Sequence, residues 1–293
     1  MNAQKTAQDN LDQLIQYVNE QIELLAFDEP EPDLLRQMIE GLADERPAAR
    51  ISLIEALGQI GEPATPFLLD GLANHAEVRV RKTCCHALAS IGDPLAVSGL
   101  IQALQNDASI VVKGAAASAL ARVGEPAFEP LRKVLASEDA DESCKGQAAW
   151  AIASMAGGVE SRNISQQLYE STADPSATVR TAMIGAIAQL ARQNKDPNAP
   201  KAIRQALSDP SPEVRIEAAA DLARLNVQDA YQSLVGLLSD SDAEVRKSAV
   251  LALEKYNRAE TVEAISPLVN DPSPQVQRVA SLVIAQLRSR TLD

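Results

Sequence analysis

The sequence predicts an all-α fold: a right-handed α-solenoid of about eight helix pairs behind one N-terminal capping helix. Three observations predict it. One pattern recurs along the chain and superposes without gaps in "DPSPEVRIEAAADLARL" (209–225), "DSDAEVRKSAVLALEKY" (240–256) and "DPSPQVQRVASLVIAQL" (271–287). Its period, roughly 31–35 residues, is that of stacked helix pairs. Aromatic residues make up only 3% of the 293 positions while alanine is abundant, a composition suited to helices packed closely through small side chains.

The first element is read at residues 1–32, an acidic segment containing the capping helix. Leu11, Leu14, Ile15, Val18, Ile22 and Leu25 form one helical stripe and the other face is polar, as the end of a repeat array requires. "DEPEPD" (28–33) breaks that helix, and the solenoid is read over 33–293.

Each repeat is indexed from the basic residue that follows its valine. That register falls at Arg50, Arg81, Lys113, Lys145, Arg180, Arg215, Arg246 and Gln277, with spacings of 31, 32, 32, 35, 35, 31 and 31. Position −4 holds Ser109, Asp141, Ser176, Ser211, Asp242 and Ser273, residues that cap helix N-termini. Position −3 holds Pro47, Pro212 and Pro274, where proline suits the first helical residue. Position +11 is Gly61, Gly92, Gly124, Asn226 or Asn257, which tolerate a left-handed C-terminal cap. Between these limits lies helix B, roughly four turns long; a shorter helix A precedes it, as in "PLAVSGLIQAL" (94–104). The longest spacings place extra residues at 156–163 and 192–200, read either as two longer loops or as a flexible joint.

On a wheel of about 100° per residue, columns −1, +3, +7 and +10 of helix B share one face, and +1, +2, +5 and +9 share the opposite one. Cys84 lies in column +3, Cys85 in +4 and Cys144 in −1; their counterparts in other repeats are Ala, Val, Leu, Ile, Met and Ser. The three thiols are therefore expected in the core, as small hydrophobes rather than metal ligands. His86 adjoins Cys85, but sequence neighbours do not converge on one helix face, and no C-x-x-C or H-E-x-x-H spacing exists.

Column +5 points away from the core and contains both His86 and the single tryptophan, Trp150. With Gly114, Ser118 and Gly146 between them leaving a shallow path, this face is the expected concave binding surface. Its candidate partner-binding residues are Lys82, His86, Arg122, Trp150 and Gln189, joined by Ser90 and Ser154. A Trp150 turned into the core is the competing reading. Column −6 is aspartate in seven repeats and His75 in the other. A feature of every repeat is a poor candidate for one active site, so these carboxylates are read as structural, bonding turn backbone and facing basic residues.

Charge excludes other classes. The formal net charge is −13, with eleven acids against three bases in residues 1–49. This argues against phosphate-backbone binding and against anionic membrane surfaces. No apolar run is long enough to span a bilayer, no secretory pattern opens the chain, and three cysteines suit a reducing cytoplasm, where the chain is expected. No metal or resident cofactor is expected.

"VRVRKTCCHALASIGDPLAVSGLIQALQNDASIVVKGAAASALARVGEP" (78–126) resembles the HEAT-like repeats of the phycobilisome E/F-type bilin lyase family. The resemblance rests on V-[RK]-x-x-[AC]-x-x-A-L and on "IGEP" (60–63), "IGDP" (91–94) and "VGEP" (123–126). It covers roughly 40–290 and implies HEAT-like helix pairs. It also implies one of two functions. One is a protein-binding scaffold or chaperone for phycobiliprotein or cofactor assembly, with a phycobiliprotein subunit as candidate partner. The other is a lyase attaching or removing a linear tetrapyrrole on a phycobiliprotein cysteine, the tetrapyrrole being a substrate. No catalytic motif transfers residue by residue. Of other HEAT-like enzymes, deoxyhypusine hydroxylases use His-Glu pairs for iron, whereas here His75 and His86 each precede alanine.

Overall fold

The computed structural model describes residues 2–24, 30–156, 162–194, 196–256, 258 and 260–290. Among the described residues the structure is all helix and turn, with no strand. They divide into two compact units, Met1–Met155 and Ala156–Asp293.

The first unit opens with α1 (Asn2–Glu23). Three complete pairs follow: α2 (Pro32–Gly41) with α3 (Pro47–Ile60), α4 (Thr65–Asn74) with α5 (Val78–Ile91), and α6 (Val97–Asn106) with α7 (Ile110–Val123). Helices α8 (Glu125–Ala136) and α9 (Glu142–Ala156) form the next pair. The capping helix packs on α3. Gly41 makes this approach possible, since a Cβ there would lie 2.7 Å from Leu11 Cδ1 and 2.9 Å from Leu53 Cδ1. Arg46 fastens the cap by donating to Asp12 at 3.0 Å while also holding Asp44 at 2.9 Å.

The second unit contains α10 (Arg162–Glu170) and α11 (Ala177–Asn194), α12 (Ala199–Gln205) and α13 (Pro212–Arg224), α14 (Tyr231–Gly236) and α15 (Ala243–Glu254), and α16 (Glu260–Ile265) and α17 (Pro274–Arg290). Its A helices are short and each runs on into a 3-10 turn, as α12 does at Ala206–Ser208. Helix α15 packs between α13 and α17. The described helices thus comprise eight A–B pairs and a cap. Of the two longer connections, 157–161 and Lys195 lie outside the described residues; residues 192–194 continue α11, and Asp196 accepts a 2.6 Å bond from the Tyr169 hydroxyl.

The helix B columns fall as the register demands. Columns −1, +3 and +7 are buried in every repeat, from Ala49, Leu53 and Leu57 to Val276, Ala280 and Ile284. The left-handed exits are found at Gly61, Gly92, Gly124 and Asn226, each with positive φ; Asn257 lies outside the described residues.

Two expectations need correction. Column +2 is not open surface: Thr83 and Ala115 are buried. A helix in an array also packs sideways, as Ser248 Oγ shows by donating to the Ile216 carbonyl of the preceding B helix. The N-caps also divide. Asp141 and Asp242 accept helix amides, at 2.6 Å from Cys144 and 2.8 Å from Glu244, whereas Ser109 and Ser211 cap nothing with their side chains. Most turns before a B helix are closed instead from column −6. There Asp107, Asp174, Asp209, Asp240 and Asp271 each accept the amide two residues on at 2.8–2.9 Å. His75 does the same with Nδ1, accepting Glu77 N–H at 3.1 Å.

The aspartates also join repeats. Each clasp starts from the position-zero arginine, which donates to the backbone of its own turn and grips the aspartate of the following repeat through two bonds. Arg81 holds Asp107 at 2.8 and 3.1 Å, Arg180 holds Asp209 at 2.8 and 2.7 Å, and Arg246 holds Asp271 at 2.7 Å twice. Gln277 keeps the backbone half alone, donating to the Asp271 carbonyl at 2.7 Å.

Candidate functional site

The helix B face of the first unit is built on α5, α7 and α9. Lys82 and His86 stand one turn apart on α5; Lys82 is half-buried and His86 exposed. Desolvation by its neighbours, and then the Lys82 charge, hold the His86 pKa below its ordinary value, so the imidazole is neutral at pH 7. On α7, Arg122 folds back to donate Nε–H to the Ala89 carbonyl at 3.2 Å. Part of its role is therefore to satisfy the open C-terminal end of α5.

Trp150 is 53% exposed, which excludes the core-facing alternative. Its own backbone carbonyl accepts the Ser154 hydroxyl at 2.8 Å, and Ser118 likewise bonds back to Gly114 at 3.0 Å. Beyond its chain neighbours and its own helix's backbone, a Cβ on Gly114 or Gly146 would meet nothing within 4 Å, so these glycines leave the backbone open. Ser90 is exposed on α5. Gln189, half-buried on α11, belongs to the second unit, so the sequence-based set is divided between the units.

The cysteines are core. Cys84, Cys85 and Cys144 are free thiols and buried. Burial pushes the pKa of all three upward, Cys85 to about 12 with a further contribution from the Asp107 charge. Cys144 Sγ approaches the Leu104 carbonyl at 3.7 Å. Among the described residues no three His, Cys, Asp or Glu side chains are placed to hold a metal ion, and no helix is long and apolar enough to cross a membrane. A cleft of about 590 Å³ opens between α1 and α2, lined by Leu11, Leu14, Arg36 and Glu40 among others, away from this face.

The second unit holds features that the reading of repeats 2 to 5 did not reach. In column +5 Leu251 is 44% exposed and Leu282 58% exposed. In column +6, alanine in six repeats, α13 carries Asp221 at 2% exposure. Arg224 lies 2.8 Å from its Oδ1 and Arg192 3.8 Å away, while Oδ2 has no hydrogen-bond partner among the described residues. Burial, then the Glu217 charge, raise its pKa to about 7 despite the two arginines. Comparing column +6 across repeats would have exposed it.

Comparison with known proteins gives one curated relative, the bilin biosynthesis protein MpeU of Synechococcus sp. (strain WH8020), 36% identical over 69 residues. That match covers 23% of this chain and 23% of the relative. Similar solved structures include human deoxyhypusine hydroxylase, at 19% identity and a TM-score of 0.38, covering 87% of this chain and 96% of that one. The complex of CpcE and CpcF of phycocyanin lyase from Nostoc sp. PCC7120 matches at 21% identity and a TM-score of 0.32, covering 65% and 99%. The family model for HEAT repeats matches residues 32–121, 97–188, 165–254 and 234–292. These spans run through all eight helix pairs, and the chain belongs to the HEAT-repeat family.

Proposed function

We propose that the chain is a protein-binding HEAT-repeat scaffold or chaperone that serves phycobiliprotein or cofactor assembly, and that the helix B face of the first unit is where it holds its partner. The observation that carries the reading is Trp150, a half-exposed indole one turn along its helix from the open backbone of Gly146. Exposed tryptophans are frequent interface hot spots, worth ~2 kcal/mol or more when truncated. Small neighbours let a partner approach the backbone, and neutral His86 and Ser118 offer hydrogen bonds without a charge to desolvate. The similarity to MpeU over 69 residues supports the pigment–protein setting.

That similarity also favours a second reading, a lyase that attaches or removes a linear tetrapyrrole on a phycobiliprotein cysteine. One experiment separates them. Apo phycobiliprotein subunits are titrated against the full chain, with and without a linear tetrapyrrole. Binding reported by Trp150 emission, weakened tenfold or more in Trp150→Ala, with no chromophore transferred, supports the scaffold. Covalent colour on the acceptor subunit after denaturation supports the lyase. Absence of both binding and transfer overturns the pigment–protein assignment.

A further inference from the structure

We infer that the helix B face of the second unit, on α13, α15 and α17, docks an acidic amphipathic helix of a partner protein. The inference concerns other residues than the Trp150 face and stands whether or not that face binds pigment proteins.

Leu251 and Leu282 occupy the same column on adjacent helices, and both are largely exposed. Ala220, half-buried on α13, continues this column, and Ile216, also half-buried, stands one turn before it in column +1. Surface leucines scattered singly need no explanation, but aligned ones on packed neighbouring helices make a stripe. Bases flank the stripe on both sides. Lys247 and Arg278 stand in column +1; Arg224 and Lys255 stand in column +9. Lys255 and Arg278 are exposed and make no ion pair among the described residues. Lys247 is paired with Glu244, and Arg224 with Glu217 and Asp221, so Lys255 and Arg278 are the bases left to a partner. In a chain of net charge −13, an apolar stripe with such a base on either side selects a partner of negative charge.

The spacing selects a helix. Neighbouring B helices pack roughly 10 Å apart. A helix laid across them rises about 10.5 Å in seven residues, so apolar side chains two turns apart meet successive members of the stripe. Its flanking carboxylates then reach Lys255 on one side and Arg278 on the other. This is helix-in-groove recognition, with apolar anchors giving affinity and charges giving orientation. Nucleic acid would use the bases but leave the leucines without partners.

The test uses the full chain and two labelled 18-residue peptides. Both carry leucine at helical spacing; one has glutamate at its remaining charged positions and the other lysine. The glutamate peptide is expected to bind, and the lysine peptide at least tenfold more weakly. Leu251→Ser/Leu282→Ser should weaken the glutamate peptide tenfold or more. Lys255→Glu/Arg278→Glu should reverse the preference between peptides. All four positions are exposed, and circular dichroism with melting checks that each variant folds. Equal binding of both peptides, binding of neither, or indifference to the leucine substitutions overturns the inference. So does displacement by a single-stranded oligonucleotide whose own affinity ignores the leucine substitutions, which assigns the face to nucleic acid.

Discussion

The guanidinium of Arg215 on α13 donates two parallel hydrogen bonds, each 2.8 Å, to the carboxylate of Asp240, which opens the following repeat. A third bond, also 2.8 Å, runs from the same side chain to the Asp209 carbonyl of its own turn. One residue thus closes its own loop and grips the next. Both partners are nearly buried, which separates this pair from surface ion pairs of little net worth.

Breaking such a clasp leaves a charge without its partner. Asp271→Asn, opposite Arg246, should cost about 3 kcal/mol, the low end for one half of a buried pair because the arginine keeps its backbone bond. The hydrogen bond from Arg246 holds the Asp271 pKa below its ordinary value despite opposing desolvation. Its stabilisation is therefore complete above the unfolded pKa of 3.8 and fades as pH falls through the lower folded one. Urea melts of wild type and Asp271→Asn should converge in acid and separate above about pH 4. Equal offsets at every pH would refute the assignment.

Asp221 makes the opposite prediction. Its folded pKa of about 7 exceeds the unfolded 3.8, so between those values the native state holds a proton that the unfolded state has lost. Stability falls as pH rises through that window and stays reduced above it. Six repeats carry alanine in this column, and Arg192 and Arg224 remain in contact with water. Asp221→Ala should therefore stabilise the fold by about 1–4 kcal/mol at pH 8, with the gain shrinking towards pH 4. A variant that melts lower than wild type at pH 8 sinks this account.

The thiols should be inert. With Cys84, Cys85 and Cys144 buried and their pKa values raised, a thiol reagent at pH 8 should label none of the three in the native chain and all three in denaturant. Cys84→Ala should cost on the order of 1 kcal/mol, since five other repeats hold alanine in that column. Rapid native labelling would contradict the burial.

Trp150 is the chain's single tryptophan, so its fluorescence reports on one face alone. Half-exposed, it should emit near the solvent-exposed limit in the free protein. Trp150→Ala should leave melting within about 0.5 kcal/mol of wild type, as surface substitutions do. A large drop in melting temperature would show that the indole holds the fold instead of a partner.

What the sequence made legible was whatever repeats. Burial of Val80, Val112 and Val214 follows from a column that every repeat fills with a small or apolar residue, and the left-handed exits at Gly61 and Asn226 from one that five of the eight fill with Gly or Asn. Thr83 was misplaced because a helical wheel describes one helix, while a stacked helix has neighbours on both flanks. Ser109 and Ser211 were misread because two columns supply oxygen to the same turn, and periodicity does not say which oxygen is bonded. Asp221, Leu251 and Leu282 are departures from their columns or lie in repeats beyond the Trp150 face. A pattern built on likeness gives such residues little weight, although they are the ones that distinguish this chain from any stack of helices.

The paired arginine and aspartate have a consequence for how such a chain grows. The segments beginning at Asp209 and Asp240 are each 31 residues long, and each carries the aspartate that receives the preceding clasp and the arginine that makes the next. A tandem copy of residues 209–239 inserted before Asp240 would bring both halves of the joint with it. Arg180 would still meet an aspartate, as would each of the two arginines that follow. Lengthening by whole units therefore needs no newly evolved contact at the splice, so a gene for this protein can gain repeats by simple duplication while the folded product stays joined throughout.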